Sequence, residues 1–378
     1  MKPIQPILPP AMLGILGGGQ LGRMFTIAAK TMGYCITVLD PDPNAPAAAF
    51  ADRHLCAAFD DEAALNELAA CAAVTTEFEN VSADAMRFLA QHTVVSPSGD
   101  CVAVAQNRIQ EKARIQQAGL STAPYQAIQT QEALNQIDAA LLPGILKTAT
   151  LGYDGKGQIR VKTIGELRTA YAELGDVDCV LEKMVDLRSE ISVIVCRLDN
   201  SRIQVFDPAE NIHENGILAY SIVPARLSET VQEKARQMAC RLAEELDYVG
   251  VLAVEMFVVG DAQELIINEI APRPHNSGHH TIDACAADQF QQQVRIMCGL
   301  APADTRLLSP CCMANILGDV WRGNDQPDWL PLQNHVTAHL HQYGKKVARQ
   351  GRKMGHFTVL ADDAAAAFET AKKLHGCL

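Results

Sequence analysis

Glu255 and Glu269 are the residues whose types and spacing most clearly invite chemistry. Val251 to Val259 is an almost unbroken apolar run with Glu255 near its middle. Leu265 to Ile270 is a second such run, carrying Asn268 and Glu269. Gly260-Asp261-Ala262-Gln263 between them reads as a turn, so the segment predicts a β-hairpin. A turn centred near Asp261 and Ala262 sets Glu255 roughly opposite Glu269 on one face. Like charges facing each other destabilise a strand pair, and burying either alone is costly. A hard divalent cation removes both problems, because Mg2+ takes carboxylate, amide and phosphate oxygens. The plain alternative is two solvent-facing acids, but the runs lack the polar alternation of an exposed face. The loop Pro272 to His280 follows at once, stiffened by two prolines. Its Arg273, His275 and Asn276 place a cation, an imidazole and an amide beside the proposed metal, a set suited to an anionic substrate.

A second group of residues suits a nucleotide. Pro143 to Lys147 predicts a short strand ending in lysine, and Gln158 to Val161 another. Between them Gly152, Tyr153, Asp154, Gly155, Lys156, Gly157 and Gln158 form a glycine-rich loop able to fold over phosphates. The spacing is not that of a P-loop, and an ordinary glycine hairpin with a surface lysine is the plain alternative. Cys179 to Leu181 reads as a strand that runs into Glu182, Lys183, Met184 and Val185. Such a strand end offers backbone groups to an adenine edge and apolar side chains to its faces. Asn107 to Gly119 predicts a helix with Arg108 and Lys112 on one face.

These groups need a scaffold, and the chain reads as α/β. Met12 to Leu16 predicts a strand, Gly17 to Gly22 a glycine turn, Arg23 to Met32 a helix and Cys35 to Leu39 a second strand ending at Asp40. That is the βαβ dinucleotide fingerprint, although such turns also bind mononucleotides or merely connect. Ala73 to Thr76 predicts a further strand, with Glu77 and Glu79 at its carboxyl end, where sugar hydroxyls could be held. Glu190 to Arg197 and Ser201 to Phe206 read as paired strands, His213 to Gly216 as a polar loop, and Ser228 to Leu246 as an amphipathic helix. Gln289 to Cys298 reads as a helix, and Met313 to Leu317 and Val336 to Tyr343 as strands. Lys345 to Lys353 is the one dense basic run, either a phosphate trap or a solvated hairpin tip.

Composition narrows the classes. Apolar residues make up 48% and charged residues 20%, which fits a packed globular protein of two or three domains. A net charge of −12 speaks against broad nucleic-acid binding. The 12 cysteines include no C-x-x-C pair, so neither a zinc site nor a redox pair is indicated. Scattered thiols and the lack of a signal-like or membrane-length apolar segment point to the cytoplasm.

Taken in order, these pieces resemble the ATP-grasp superfamily, and within it the N5-carboxyaminoimidazole ribonucleotide synthetase family of purine biosynthesis. The resemblance is carried by GGGQLGRM at 17–24, TEFENV at 76–81, LGYDGKGQ at 151–158, NEIAPRPHNSGHHTIDAC at 268–285 and YGKKVARQGRKMGH at 343–356. It implies a Rossmann-like preATP-grasp domain over 1–105, an ATP-grasp domain over 106–300 with a lid near 122–185, and a small β-rich C-terminal domain over 301–378. It implies a ligase that spends ATP on bicarbonate, forms carboxyphosphate and carboxylates 5-aminoimidazole ribonucleotide. The implied ATP site is Arg108, Lys147, the loop 152–158, Glu182 to Val185, Glu190, His213, Asn268 and Glu269, with Glu255 and Glu269 on magnesium, two ions being expected. Arg273, His275 and Asn276 are implied to hold bicarbonate, and Tyr153 and Asp154 to meet the amine. Gln20, Glu77, Lys345 and Arg352 are implied to bind the ribonucleotide, in a homodimer that takes no nucleic acid or membrane partner. Rival readings are another ATP-grasp ligase, an NAD-dependent oxidoreductase built on the first βαβ unit, and a nucleotide sensor without turnover. The oxidoreductase leaves the Glu255/Glu269 hairpin and the glycine lid without a purpose.

Overall fold

The computed structural model describes residues 5–150, 152, 157–321 and 326–378. Five strands form a parallel sheet: β1 (Met12–Leu16), β2 (Cys35–Leu39), β3 (Arg53–Leu55), β4 (Ala73–Thr76) and β5 (Val94–Val95), in the order β3-β2-β1-β4-β5. β1, β2 and β4 are apolar and almost wholly buried, as a sheet covered on both faces requires. The first helix, Gln20–Thr31, starts three residues before the periodicity predicts, directly on the glycine turn.

A four-stranded antiparallel sheet follows: β6 (Tyr125–Ile128), β7 (Gly144–Thr148), β8 (Gln158–Val161) and β9 (Cys179–Lys183), in the order β6-β9-β7-β8. β7 and β8 pair as the lid hairpin the sequence predicts. Tyr153, Asp154, Gly155 and Lys156 at its tip lie outside the described residues.

Nine strands build the largest sheet among the described residues. They are β10 (Leu187–Asp199), β11 (Arg202–Val205), β12 (Ala209–Glu214), β13 (Ile217–Val223), β14 (Gly250–Val259), β15 (Glu264–Ala271), β16 (Cys311–Leu317), β17 (Ala338–Gln342) and β18 (Lys353–Leu360). Their order is β15-β14-β10-β12-β13-β16-β18-β17, with β11 beside β10. The last three strands therefore extend the sheet that carries Glu255 and Glu269. The polar loop expected at His213 is instead the end of β12, because its alternating residues pair with β10 and β13. Lys353, expected in a basic tip, opens the buried strand β18. A final helix, Ala364–His375, covers this end of the sheet and was not foreseen from its alanine run.

One buried glutamine ties the first sheet to the last. Gln293 donates to Thr75 Oγ1 at 3.0 Å and to the Ser96 carbonyl at 3.1 Å, and accepts from the Val251 N–H at 2.8 Å. It thereby fixes the start of β14 against the parallel sheet. Asp283, His341 and His356 present ligand-type atoms within 4.8 Å of one another. The two imidazoles, however, stack 4.6 Å apart at 13°, so their in-plane lone pairs run side by side and do not converge on an ion. Asp283 instead accepts from His341 Nε2 at 2.9 and 3.1 Å.

Candidate active site

β14 and β15 form the predicted hairpin, and Glu255 pairs directly with Glu269. The ladder reaches that pairing through a bulge. From the turn up to Met256 it runs without interruption, and at Glu255 the register shifts by one, leaving Asn268 as the extra residue. Two residues of a bulged strand oppose one of its partner. Adjacent Asn268 and Glu269 thus both reach the face of Glu255, and all three line one cavity of about 780 Å3.

The electrostatics of the pair are lopsided. Burial and the facing Glu269 push the Glu255 carboxyl up to about 8. Burial also pushes Glu269 up, but Arg108 and Lys147 outweigh it and hold that carboxyl low. Arg108 Nη1 lies 2.8 Å from Glu269 Oε2. Asn268 Oδ1 is buried with no hydrogen-bond partner among the described residues. Two carboxylates and an orphaned amide oxygen are a hard-oxygen donor set, which fits Mg2+ and fits neither a thiolate metal nor a histidine metal.

One helix face braces this cluster. Asn107 caps the helix Arg108–Gln117, whose i, i+3 and i+4 positions face the cavity side. Arg108 holds Glu269, Glu111 accepts the Ile270 N–H at 2.7 Å, and Lys112 Nζ stands 2.9 Å from Glu182 Oε1. Lys147 donates to Glu182 Oε2 at 2.9 Å. The Glu182 carboxylate is therefore taken up by two lysines, while Glu182 lines the cavity, where the expected adenine contact is through backbone groups. Burial pushes it up, but Lys147 and Lys112 bring it down to about 2. Lys183, Met184 and Val185 line the cavity as predicted, with Leu187, Leu218 and Phe257 as apolar wall. Glu190 Oε2 lies 3.0 Å from His213 Nδ1 at the same wall. Burial lowers the imidazole's affinity for a proton, and Glu190 more than restores it. Gly152 and Gln158 line the cavity; Gly157 instead accepts the Thr148 N–H at the lid hairpin's base.

The loop after β15 closes the other end. Arg273 Nε meets Glu79 Oε2 at 2.5 Å, joining the loop to the parallel sheet. Burial pushes Glu79 up, but Arg273 overrides it and holds it at about 2. His275 Nε2 lies 3.1 Å from Glu255 Oε1. Burial, with Arg273 and Lys353 nearby, keeps this imidazole neutral. Asn276 exchanges two amide hydrogen bonds with Asn315, at 3.0 and 2.7 Å, so its plane is fixed by β16.

The glycine turn departs from its fingerprint. Glu77 Oε1 and Oε2 accept the Gly19 and Gly22 N–H groups at 2.5 and 2.6 Å, and Asp40 accepts the Gly18 N–H at 2.7 Å. The amides a dinucleotide phosphate would need are held by the chain's own carboxylates. A Cβ on Gly17 would lie 2.3 Å from Glu77 Cγ, so the glycines make room for Glu77. Glu77 does not line the cavity, whereas Gln20 does. Lys345 donates to Gln20 Oε1 at 2.6 Å and to the Lys353 carbonyl at 2.7 Å. Arg352 Nη1 donates to the Val347 carbonyl at 2.7 Å, which curls it back onto its own loop. Glu111, which no motif singled out, and Lys353, placed only within the basic run, both line the cavity. Lys353 opens an apolar strand much as Lys147 nearly closes one, and Glu111 follows Arg108 at helical spacing; these were the available signals.

Three family models match consecutive parts of the chain. They are a ribonucleotide synthetase preATP-grasp domain at 11–106, an ATP-grasp domain at 113–290 and a phosphoribosylaminoimidazole carboxylase C-terminal domain at 311–370. The N5-carboxyaminoimidazole ribonucleotide synthase of Bacillus subtilis is 45% identical over 359 residues, covering 94% of this chain and 93% of that one. That of Brucella melitensis is 44% identical, covering 93% and 96%. A crystal structure of an N5-carboxyaminoimidazole ribonucleotide synthetase with ADP superposes with a TM-score of 0.91 at 45% identity, over 99% of this chain and 98% of that one. The Aspergillus clavatus enzyme, solved with ADP and 5-aminoimidazole ribonucleotide, gives a TM-score of 0.87 at 30% identity, over 97% and 98%. With this coverage and identity, the chain belongs to the N5-carboxyaminoimidazole ribonucleotide synthase family of ATP-grasp ligases.

Proposed function

We propose that this chain carries out its family's reaction, the ATP- and bicarbonate-dependent carboxylation of 5-aminoimidazole ribonucleotide in purine biosynthesis. The observation that carries this reading is the Glu255/Glu269 pair, with Asn268 on one side of it and the Arg273–Asn276 loop on the other, in one cavity. Adenine rests against Met184, Leu187, Leu218 and Phe257, with Glu190 and His213 toward the ribose. Lys147, Arg108 and the lid loop with Tyr153, Asp154 and Lys156 attend the phosphates. Glu255, Asn268 and Glu269 would hold magnesium, which would supply charge neutralisation for the transferring phosphoryl group.

Phosphoryl transfer needs little covalent help from protein, and positioning with charge neutralisation dominates. Arg273, His275 and Asn276 orient bicarbonate as nucleophile, and one bicarbonate oxygen forms the new bond to phosphorus as ADP leaves. The exocyclic amine of the ribonucleotide then captures the carboxyl carbon, and phosphate departs with that oxygen. Gln20, Lys345, Lys353 and Arg352 form the ribonucleotide side, and Glu77 supports it by holding the glycine turn. Closure of the lid over the site would exclude water, which carboxyphosphate requires because it hydrolyses readily. The enzyme works as a homodimer in the cytoplasm; its 12 free cysteines fit a reducing compartment.

ADP release with Mg-ATP and bicarbonate tests the reading, with and without 5-aminoimidazole ribonucleotide. Strong stimulation by the ribonucleotide, lost in Glu269→Gln, supports both substrate and metal site. No stimulation of the parent protein rejects the acceptor. Full activity of the variant rejects the metal ligands.

A further inference from the structure

A chain of buried hydrogen bonds ends on His275. Ser221 Oγ donates to Asn211 Oδ1 at 2.9 Å, and Asn211 Nδ2 donates to Ser192 Oγ at 2.9 Å. Ser192 Oγ lies 2.7 Å from Ser277 Oγ, and Ser277 Oγ lies 2.9 Å from His275 Nδ1. All four residues before His275 are at most 6% exposed. At that burial bulk solvent does not reach these groups, so the hydrogen bonds among them govern where each proton sits.

The direction of the chain is fixed at its far end. The Ser277 backbone N–H points at His275 Nδ1 at 3.4 Å. A backbone amide only donates, so this long contact favours a bare Nδ1, and the closer Ser277 hydroxyl decides how completely. The Ser277 hydroxyl then also donates to Nδ1, and its oxygen is left to accept from Ser192. Ser192 in turn accepts from the Asn211 amide, whose oxygen accepts from Ser221. Each hydroxyl proton is used once and the order closes without conflict. With Nδ1 bare, the neutral ring carries its proton on Nε2, the atom 3.1 Å from Glu255 Oε1.

We infer that Ser277, Ser192, Asn211 and Ser221 are positioning residues that lock His275 as the Nε2–H tautomer, so that His275 serves this site as a hydrogen-bond donor and not as a proton acceptor. The donor turns one oxygen of Glu255 and leaves the other for the cation, as outer partners commonly do for metal-ligating carboxylates. Three strands, β10, β12 and β13, supply the chain, so the nine-stranded sheet itself sets the protonation pattern of the loop after β15.

The consequence for catalysis rests on the proposed reaction; the tautomer does not, and it is read without turnover. In metal-free protein with 15N-labelled histidine, two-bond nitrogen–proton correlation spectra report both ring nitrogens, with His275→Gln assigning the signals. The expected spectrum has a bare Nδ1 and a protonated Nε2 for His275. In Ser277→Ala the two signals move toward each other as the second tautomer becomes populated; Ser277→Thr restores the parent pattern. In the ADP-release assay Ser277→Ala falls about 10-fold. His275→Gln, whose amide N–H lies near the Nε2 position, retains more activity than His275→Asn. A protonated Nδ1 in the parent protein overturns the inference. So does a Ser277→Ala spectrum identical to the parent. Should Ser277→Ala fail to fold, the parent spectrum alone decides.

Discussion

Glu182→Gln should weaken the fold more than any change at an exposed acid, by an amount the structure sets. Glu182 is 3% exposed and faces Lys112 and Lys147, which are 0% and 5% exposed, at 2.9 Å each. Burial pushes its carboxyl up, yet the two lysines carry it from an ordinary 4.5 to about 2. That displacement corresponds to about 3 kcal/mol in favour of the folded state at neutral pH. Leaving a buried ion without its partner costs about 3–5 kcal/mol, which agrees. The sign follows from a lowered carboxyl: the contribution is complete above pH 4.5 and is lost as pH falls toward 2. Thermal melts of parent and variant by circular dichroism, at stepped pH, read it out. At pH 7 the variant should melt roughly 5 °C or more below the parent, and the gap should narrow below pH 4.5. Lys112→Met leaves Glu182 with Lys147 and should melt between the two. A Glu182→Gln protein within about 1 °C of the parent refutes the reasoning, as does a gap unchanged between pH 7 and pH 3.

Three further outcomes follow from the structure. Gly17 has φ +96°, and a Cβ there would strike Glu77 Cγ at 2.3 Å. Gly17→Ala should therefore lower stability by more than the roughly 1–2 kcal/mol of a strained backbone alone. Gly165, whose nearest neighbour would be 3.8 Å away, should accept alanine with a small gain in melting temperature. Glu111 is pushed up to about 8 by burial and then by Glu269. A raised carboxyl holds its proton more tightly in the folded state, so its stabilisation fades as pH climbs from 4.5 through 8. In magnesium-free buffer, Glu111→Gln should gain melting temperature relative to the parent between pH 6 and pH 9; an unchanged difference across that range would contradict it.

The hairpin at 250–271 was readable because two apolar runs flank an unambiguous turn. Its bulge was not. An unbroken ladder from that turn would set Glu255 against Asn268, and only the shifted register brings Glu269 opposite and Asn268 onto the same face. The sequence carries no local mark of that extra residue. The glycine turn illustrates the reverse problem: a phosphate and a carboxylate make the same demand on backbone amides, so the motif cannot tell a ligand from Glu77, far along the chain. Glu182 lines the cavity as expected, but the two buried lysines that hold its carboxylate come from a distant helix and strand, and long-range ion pairs leave no periodicity. β12 and β18 were missed because polar residues at their ends, His213 and Lys353, face the cavity rather than solvent.

In the proposed reaction this cavity transfers the γ-phosphoryl group of ATP to bicarbonate. Turnover with 18O-labelled bicarbonate, Mg-ATP and 5-aminoimidazole ribonucleotide tests it most directly. The released phosphate should carry one labelled oxygen from bicarbonate. Unlabelled phosphate would mean that water, and not bicarbonate, attacks ATP, and would contradict it.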